Sequence, residues 1–197
     1  DKPAYDHKLQ ALLKQLEDLD DLEILASLAR LTASLGDAHT ALIFPARNFL
    51  PLKFMWFPEG IYVTGAAEKH VNLIGKKIEA VGGFPIDVVL EALEEVIPHE
   101  NEFFLRSQLP RYLANADLLY GLSILEDPGE ALLMLTGEEG SREHLLGSVD
   151  ARTAEGVVEP PQADLPLYRR HPERLYWHEV LEEQETLYFH YGSCREE

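Results

Sequence analysis

Side chains able to do chemistry are few and scattered in this chain. It has eight histidines, no two of them at i and i+4, and no His-Glu-x-x-His stretch, so a zinc site is not indicated. Cys194 is the one cysteine, which excludes an internal disulfide and a Cys-x-x-Cys metal pair. Paired acids such as Glu94-Glu95 and Glu182-Glu183 read as solvated helix faces rather than acid-base dyads. Gly82-Gly83 runs into Phe84-Pro85, which makes a turn and no row of amides for a phosphate. No metal and no cofactor is therefore expected. His39 stands apart, because it follows an amphipathic stretch in Leu35-Gly36-Asp37-Ala38-His39-Thr40. An imidazole titrates near neutral pH and can take a proton from a hydroxyl. Equally, Asp37 and Thr40 suit a turn just past a helix, with His39 bonding a nearby carbonyl.

The elements that must position these residues follow from periodicity. Tyr5, Leu9, Leu12, Leu13, Leu16 and Leu19 recur at helical spacing and predict a helix over 4–19. Asp20 and Glu23 form a capping-box-like start for a second helix, with its apolar stripe at Leu22, Leu25, Leu28, Ala29 and Leu35. Gly36 is placed to end it. Two such helices with a short joint are expected to pack antiparallel. Residues 40–44 form a β-prone run closed by Pro45. Residues 50–57 and 61–64 predict a hairpin around Pro58-Glu59-Gly60. A strand is expected over 73–81, then a helix over 87–97 that Pro98 stops. Residues 102–125 read as helix in pieces, interrupted at Pro110. A second hairpin is expected over 130–136 and 142–149, turning at Gly137-Glu138-Glu139-Gly140. Residues 150–166 read as a linker. Strand material returns at 175–177 and 186–191. The last of these strands has nothing after it to pair with, which predicts that the chain has been cut and that this strand can self-associate.

Composition narrows the function classes. Hydrophobic residues make up 46 % and charged residues 26 %, as in an ordinary globular protein. The formal net charge of −18 repels phosphate backbones, so nucleic acid is not an expected partner. Acidity of this kind serves solubility first, and secondarily favours basic substrates or partners. No apolar run is long enough to predict a transmembrane helix.

Three segments together resemble the C-terminal processing (tail-specific) serine peptidases. One is Leu35-Gly36-Asp37-Ala38-His39-Thr40, similar to a Gly-Asp-x-His-Thr stretch near the end of that family's N-terminal helical region. Another is Leu73 to Ile86, similar to the family's PDZ-type strand-turn-helix entry. The third, Leu175-Tyr176-Trp177 with Thr186 to Cys194, looks like the segment leading into the catalytic domain. The resemblance implies an α+β chain with a helical region over 1–44, a PDZ-like module over 45–150, and a linker with the start of an absent catalytic domain over 151–197. It implies a serine peptidase of extracytoplasmic or secreted location, acting on a peptide or unfolded protein segment. The family's nucleophilic serine would lie beyond this chain, whose own sequence has no Gly-x-Ser-x-Gly elbow.

On this resemblance the chain is a non-catalytic substrate-binding and regulatory portion, inactive alone, whose partner is its own catalytic domain. Tricorn-like relatives place a catalytic histidine in a similar stretch, so His39 carries over as a candidate base. Its local chemistry leans towards the turn role. The PDZ-like module implies peptide addition at a strand edge, Gly60, Ile61, Tyr62 and Val63, with Val89 and Leu93 on the opposite helical wall. The usual carboxylate-binding loop is not evident. The alternative is a free-standing PDZ-like peptide-binding adaptor.

Overall fold

The computed structural model describes residues 2–150, 157–158 and 165–192. The chain is α+β, and it divides after Val158 into two units. The linker expected over 150–166 falls mostly outside the described residues, as do Ser193 and Cys194.

In the first unit, helix α1 spans Lys2–Gln15 and α2 spans Asp21–Ala33. Asp20 caps α2 by accepting from Leu22 N and Glu23 N, each at 2.9 Å, and Glu23 returns a bond to Asp20 N. This is the expected reciprocal box, which satisfies backbone N–H groups that have no partner within the helix. Strand β1 (Asn48–Phe49) pairs with β8 (Val149–Asp150). The main sheet is antiparallel with order β2-β3-β4-β6-β7: β2 is Leu52–Phe57, β3 Gly60–Ala66, β4 Lys77–Val81, β6 Glu130–Gly137 and β7 Gly140–Gly147. Short β5 (Phe84–Pro85) folds back on β4. Gly82, at φ +59°, makes that turn; a Cβ there would run into the Ile124 carbonyl. Helices α3 (Ile86–Glu94), α4 (Glu102–Leu113) and α5 (Ala116–Gly121) complete the unit.

Alternation on the strands builds the core. Ile61 and Val63 of β3, Ile78 and Val81 of β4, and Leu133 and Leu135 of β6 are all buried. Val89 and Leu93 of α3 join Leu105, Leu109 and Leu113 of α4 in the same cluster. Helix α2 lies close against α5. A Cβ on Gly121 would sit 2.5 Å from the Leu22 carbonyl oxygen and 3.0 Å from Ala26 Cβ, so this approach requires a glycine.

Several local expectations are corrected. Residues 40–44 form no strand, because Asp37 holds the chain before them in a turn. The expected strand over 73–81 begins at Lys77; a 3-10 turn over Glu68–Leu73 buries Leu73, and Gly75 at φ +86° reverses the chain. Pro110 does not interrupt α4. Proline in a helix interior costs about 3 kcal/mol, but burying Leu105, Leu109 and Leu113 stabilises the helix by roughly 1.5–3 kcal/mol each. The break falls instead at Asn115, whose side chain accepts from Leu118 N at 3.0 Å and caps α5.

In the second unit, β9 (Tyr176–Leu181) and β10 (Thr186–Tyr191) form an antiparallel hairpin in continuous register, Thr186 opposite Leu181 through Tyr191 opposite Tyr176. The final strand therefore has a partner, contrary to the sequence expectation: the chain turns tightly through Glu182–Gln184 and Glu185, at φ +50°. Trp177 gathers His171, Tyr188 and His190 around its ring. No helix among the described residues is long and apolar enough to cross a membrane.

Candidate functional site

Residues 34–47 run as an irregular span between α2 and β1, fixed at both ends. At its start, Asp37 Oδ1 accepts from His39 N at 2.9 Å and Asp37 Oδ2 accepts from Thr40 Oγ1 at 2.6 Å. At its end, Asp117 of α5 is only 3 % exposed. Its Oδ2 accepts from Arg47 N at 2.6 Å and Asn48 N at 3.1 Å, and its Oδ1 from Asn48 Nδ2 at 2.8 Å. Leu50 N donates to Ala114 O at 2.8 Å, which ties the strand that follows to the α4–α5 joint. The span carrying His39 is thus held by a buried carboxylate that sequence reasoning did not identify.

The His39 side chain is 92 % exposed, and its Nδ1 lies 3.5 Å from Asp37 Oδ1. The Thr40 hydroxyl, and after it the His39 backbone N–H, hold the Asp37 carboxyl below its usual range. Asp37 thus stays anionic beside the imidazole. Glu100, from the α3–α4 connection, approaches the same place: one ligand-type atom each of Asp37, His39 and Glu100 lie within 4.8 Å of one another. These three donors are of types a divalent cation accepts, and they equally make an imidazole flanked by two carboxylates. Glu100 is 61 positions from His39, and no local pattern links them.

Glu100 also lines a cleft of about 720 Å³ between α3 and α4. Trp56, Leu90, Leu105 and Leu109 give it an apolar lining, with acidic side chains from both helices around them. The Arg106 guanidinium lies 5.2 Å above the Trp56 ring and pairs with Glu102. Asn101 caps α4 by accepting from Phe104 N at 2.9 Å, which fixes the connection holding Glu100. The volume of the cleft has no one-dimensional signal. Two large apolar side chains near these residues in sequence stand almost bare, Ile43 at 90 % and Phe103 at 85 % exposure.

The strand expected to receive a peptide is not an edge of its sheet. Strand β3 is interior, paired with β2 along its length and with β4 at Tyr62 opposite Lys77. Ile61, Val63, Val89 and Leu93 are buried in the core, so these side chains line no open groove. Gly60 faces Lys77, whose Cε would lie 2.5 Å from an added Cβ, and Tyr62 packs edge-on to Phe57 with ring centres 5.6 Å apart. The outer strands of this sheet are β2 and β7. The hairpin spacing placed β3 correctly as a strand, but it carried no information about which strand would lie outermost.

No protein-family profile and no curated protein matches the chain. Among solved structures, it is similar to mature CPAF, a chlamydial serine protease, in complex with lactacystin, with a TM-score of 0.54 and 19 % identity. That match covers 78 % of this chain and 30 % of CPAF. A serine-to-alanine mutant of CPAF gives a TM-score of 0.52 at 18 % identity, covering 77 % of this chain and 28 % of that one. At this identity the likeness is one of fold, and the chain spans less than a third of the proteins it matches.

Proposed function

We propose that this chain is the substrate-binding and regulatory front portion of a serine peptidase related to the C-terminal processing family, and that it contributes His39 to an active site whose serine lies elsewhere in the intact protein. The observation that carries the reading is the exposed His39 imidazole, with Asp37 at its Nδ1, in a fold shared with a serine protease. In the intact enzyme the imidazole would accept the proton of the serine hydroxyl as the oxygen attacks the scissile carbonyl, and return it to the leaving amine. The anionic Asp37 would stabilise the transient imidazolium. The bare Ile43 and Phe103 suit burial against further protein.

The chain alone is expected to leave casein intact. In the intact protein, His39→Ala should abolish turnover while the melting temperature holds. Unchanged turnover would overturn the assignment, and a melting temperature that falls with turnover preserved would return His39 to a turn role. The cleft favours a second reading, a peptide-binding adaptor with no chemistry of its own. Reading the gene beyond residue 197 separates the two: a serine motif supports the peptidase, and a stop codon supports the adaptor.

A further inference from the structure

We propose that the α3–α4 cleft docks a basic peptide segment, with a lysine or arginine side chain lying along Trp56 between two carboxylate walls. This deepens the peptidase reading by naming a substrate class, and rests on it only for what happens to the segment once bound.

Size and lining fit such a guest. About 720 Å³ lies within the range of clefts that hold a few side chains. Trp56, Leu90 and the buried Leu105 and Leu109 offer apolar surface to the aliphatic stem of a long cationic side chain. The Trp56 ring already carries a guanidinium, that of Arg106, at 5.2 Å. The chain itself therefore displays the cation-over-indole geometry that a guest would share or take over.

Charge selects the sign of the guest. Asp87, Glu91 and Glu94 come from α3, with Glu100 and Glu102 facing them from the connection and α4. Against these five stand Arg106, which is paired with Glu102, and His99, whose Nε2 lies 3.8 Å from Glu94. Asp87, Glu91 and Glu100 make no ion pair among the described residues.

The position of the acids on α3 is a separate observation. Glu91 and Glu94 occupy the last turn of that helix, which has no basic residue. Carboxylates there meet the negative end of the helix dipole, an arrangement that destabilises a helix unless a cation neutralises it. Of the basic groups near that turn, Arg30 pairs with Glu95, outside the cleft, at 2.7 Å, and His99 stands 3.8 Å from Glu94. The remaining acids oppose the helix that carries them, in the way sequences depart from local consistency at functional positions. Glu100 lines this cleft and also reaches the Asp37–His39 pair, so a segment bound here has one end beside the candidate base.

The test uses the 197-residue chain and an arginine-rich nonapeptide, with the glutamate-for-arginine peptide as control. The two tryptophans separate the sites: the indole N–H of Trp56 should shift on titration while that of Trp177 stays put. Glu91→Gln/Glu94→Gln should weaken binding roughly tenfold. Glu182→Gln/Glu183→Gln, which removes the same charge from the β9–β10 turn, should not. Equal weakening by both pairs would reduce the effect to general attraction by an acidic chain and overturn the proposal. So would a Trp56 signal that never moves, or equal affinity for the acidic peptide. Binding that survives while His39→Ala leaves turnover of the intact protein unchanged would retire the peptidase reading and leave the cleft assignment standing.

Discussion

Asp37 and Asp117 do similar chemistry at opposite ends of one segment, and they differ in what they hold. Each carboxylate accepts hydrogen bonds that fix the backbone near residues 37–48. Asp37 bonds within three residues of itself and is half exposed; Asp117 bonds across 69 and 70 positions and is buried. A local turn can re-form whenever the chain lets go, and water can replace its bonds. A buried carboxylate has no such substitute, so the second anchor is structural while the first is free to serve a site.

The largest expected effect comes from breaking the buried anchor. Asp117→Ala would leave three N–H groups without an acceptor, at about 1–3 kcal/mol for each that stays buried. Melting should fall by roughly 6 °C or more, and a fall under about 2 °C would contradict the assigned role. Asp117→Asn, which keeps an acceptor oxygen, should lie between.

Gly121→Ala comes next. Its methyl group would meet the Leu22 carbonyl oxygen at 2.5 Å and push α2 away from α5, with an expected loss of about 1–3 kcal/mol. Faster amide exchange in α2 would report the separation, and native exchange rates there would show that the helices can adjust.

The contrast between buried and exposed groups extends to bases. Nε2 of His70 and of His144 is buried without a hydrogen-bond partner. Burial, first among the causes, lowers both pKa values from the ordinary 6.5, and nearby Lys69, and Lys76 with Arg142, add to it. A base whose folded pKa is depressed contributes its full stability above the ordinary value and loses it as pH falls below that. Melting should therefore drop by a few degrees between about pH 7.5 and 5.5. His70→Gln/His144→Gln should flatten the profile; an unaltered slope would place the acid sensitivity elsewhere.

The smallest effect on stability belongs to Asp37→Ala, which should hardly move the melting temperature. On the proposed peptidase reading, the same change in the intact protein should lower kcat by roughly 100-fold if Asp37 positions His39, which a purely structural turn residue would not do. Because the Asp37 carboxyl titrates below its ordinary 3.8, the turn should persist above that value and release as pH falls beneath it. Loss of the Thr40 amide shift well above that pH would show that other contacts hold the turn.

What was legible in the sequence follows the same division. The Asp20–Glu23 box, the β2–β3 and β6–β7 hairpins and the Gly82-Gly83 turn were readable, because each is written within a few residues. The run through Pro110 was not, since the burial of Leu105, Leu109 and Leu113 that outweighs a proline depends on partners from other elements. His39 could be singled out by its setting, whereas Glu100 and the cleft could not.

By itself, the sequence determined where helices begin, where the β2–β3 and β6–β7 hairpins turn, which residues alternate into a core and that the surface would be acidic, because these depend on neighbours within about one helical turn or one strand. The tertiary structure alone decided that β3 would be interior and β2 an edge, that Asp117 would reach Arg47 and Asn48, and that Glu100 would meet both His39 and the α3–α4 cleft. Those outcomes depend on which apolar faces bury each other, and that choice sums contacts over the whole unit rather than over any stretch of chain.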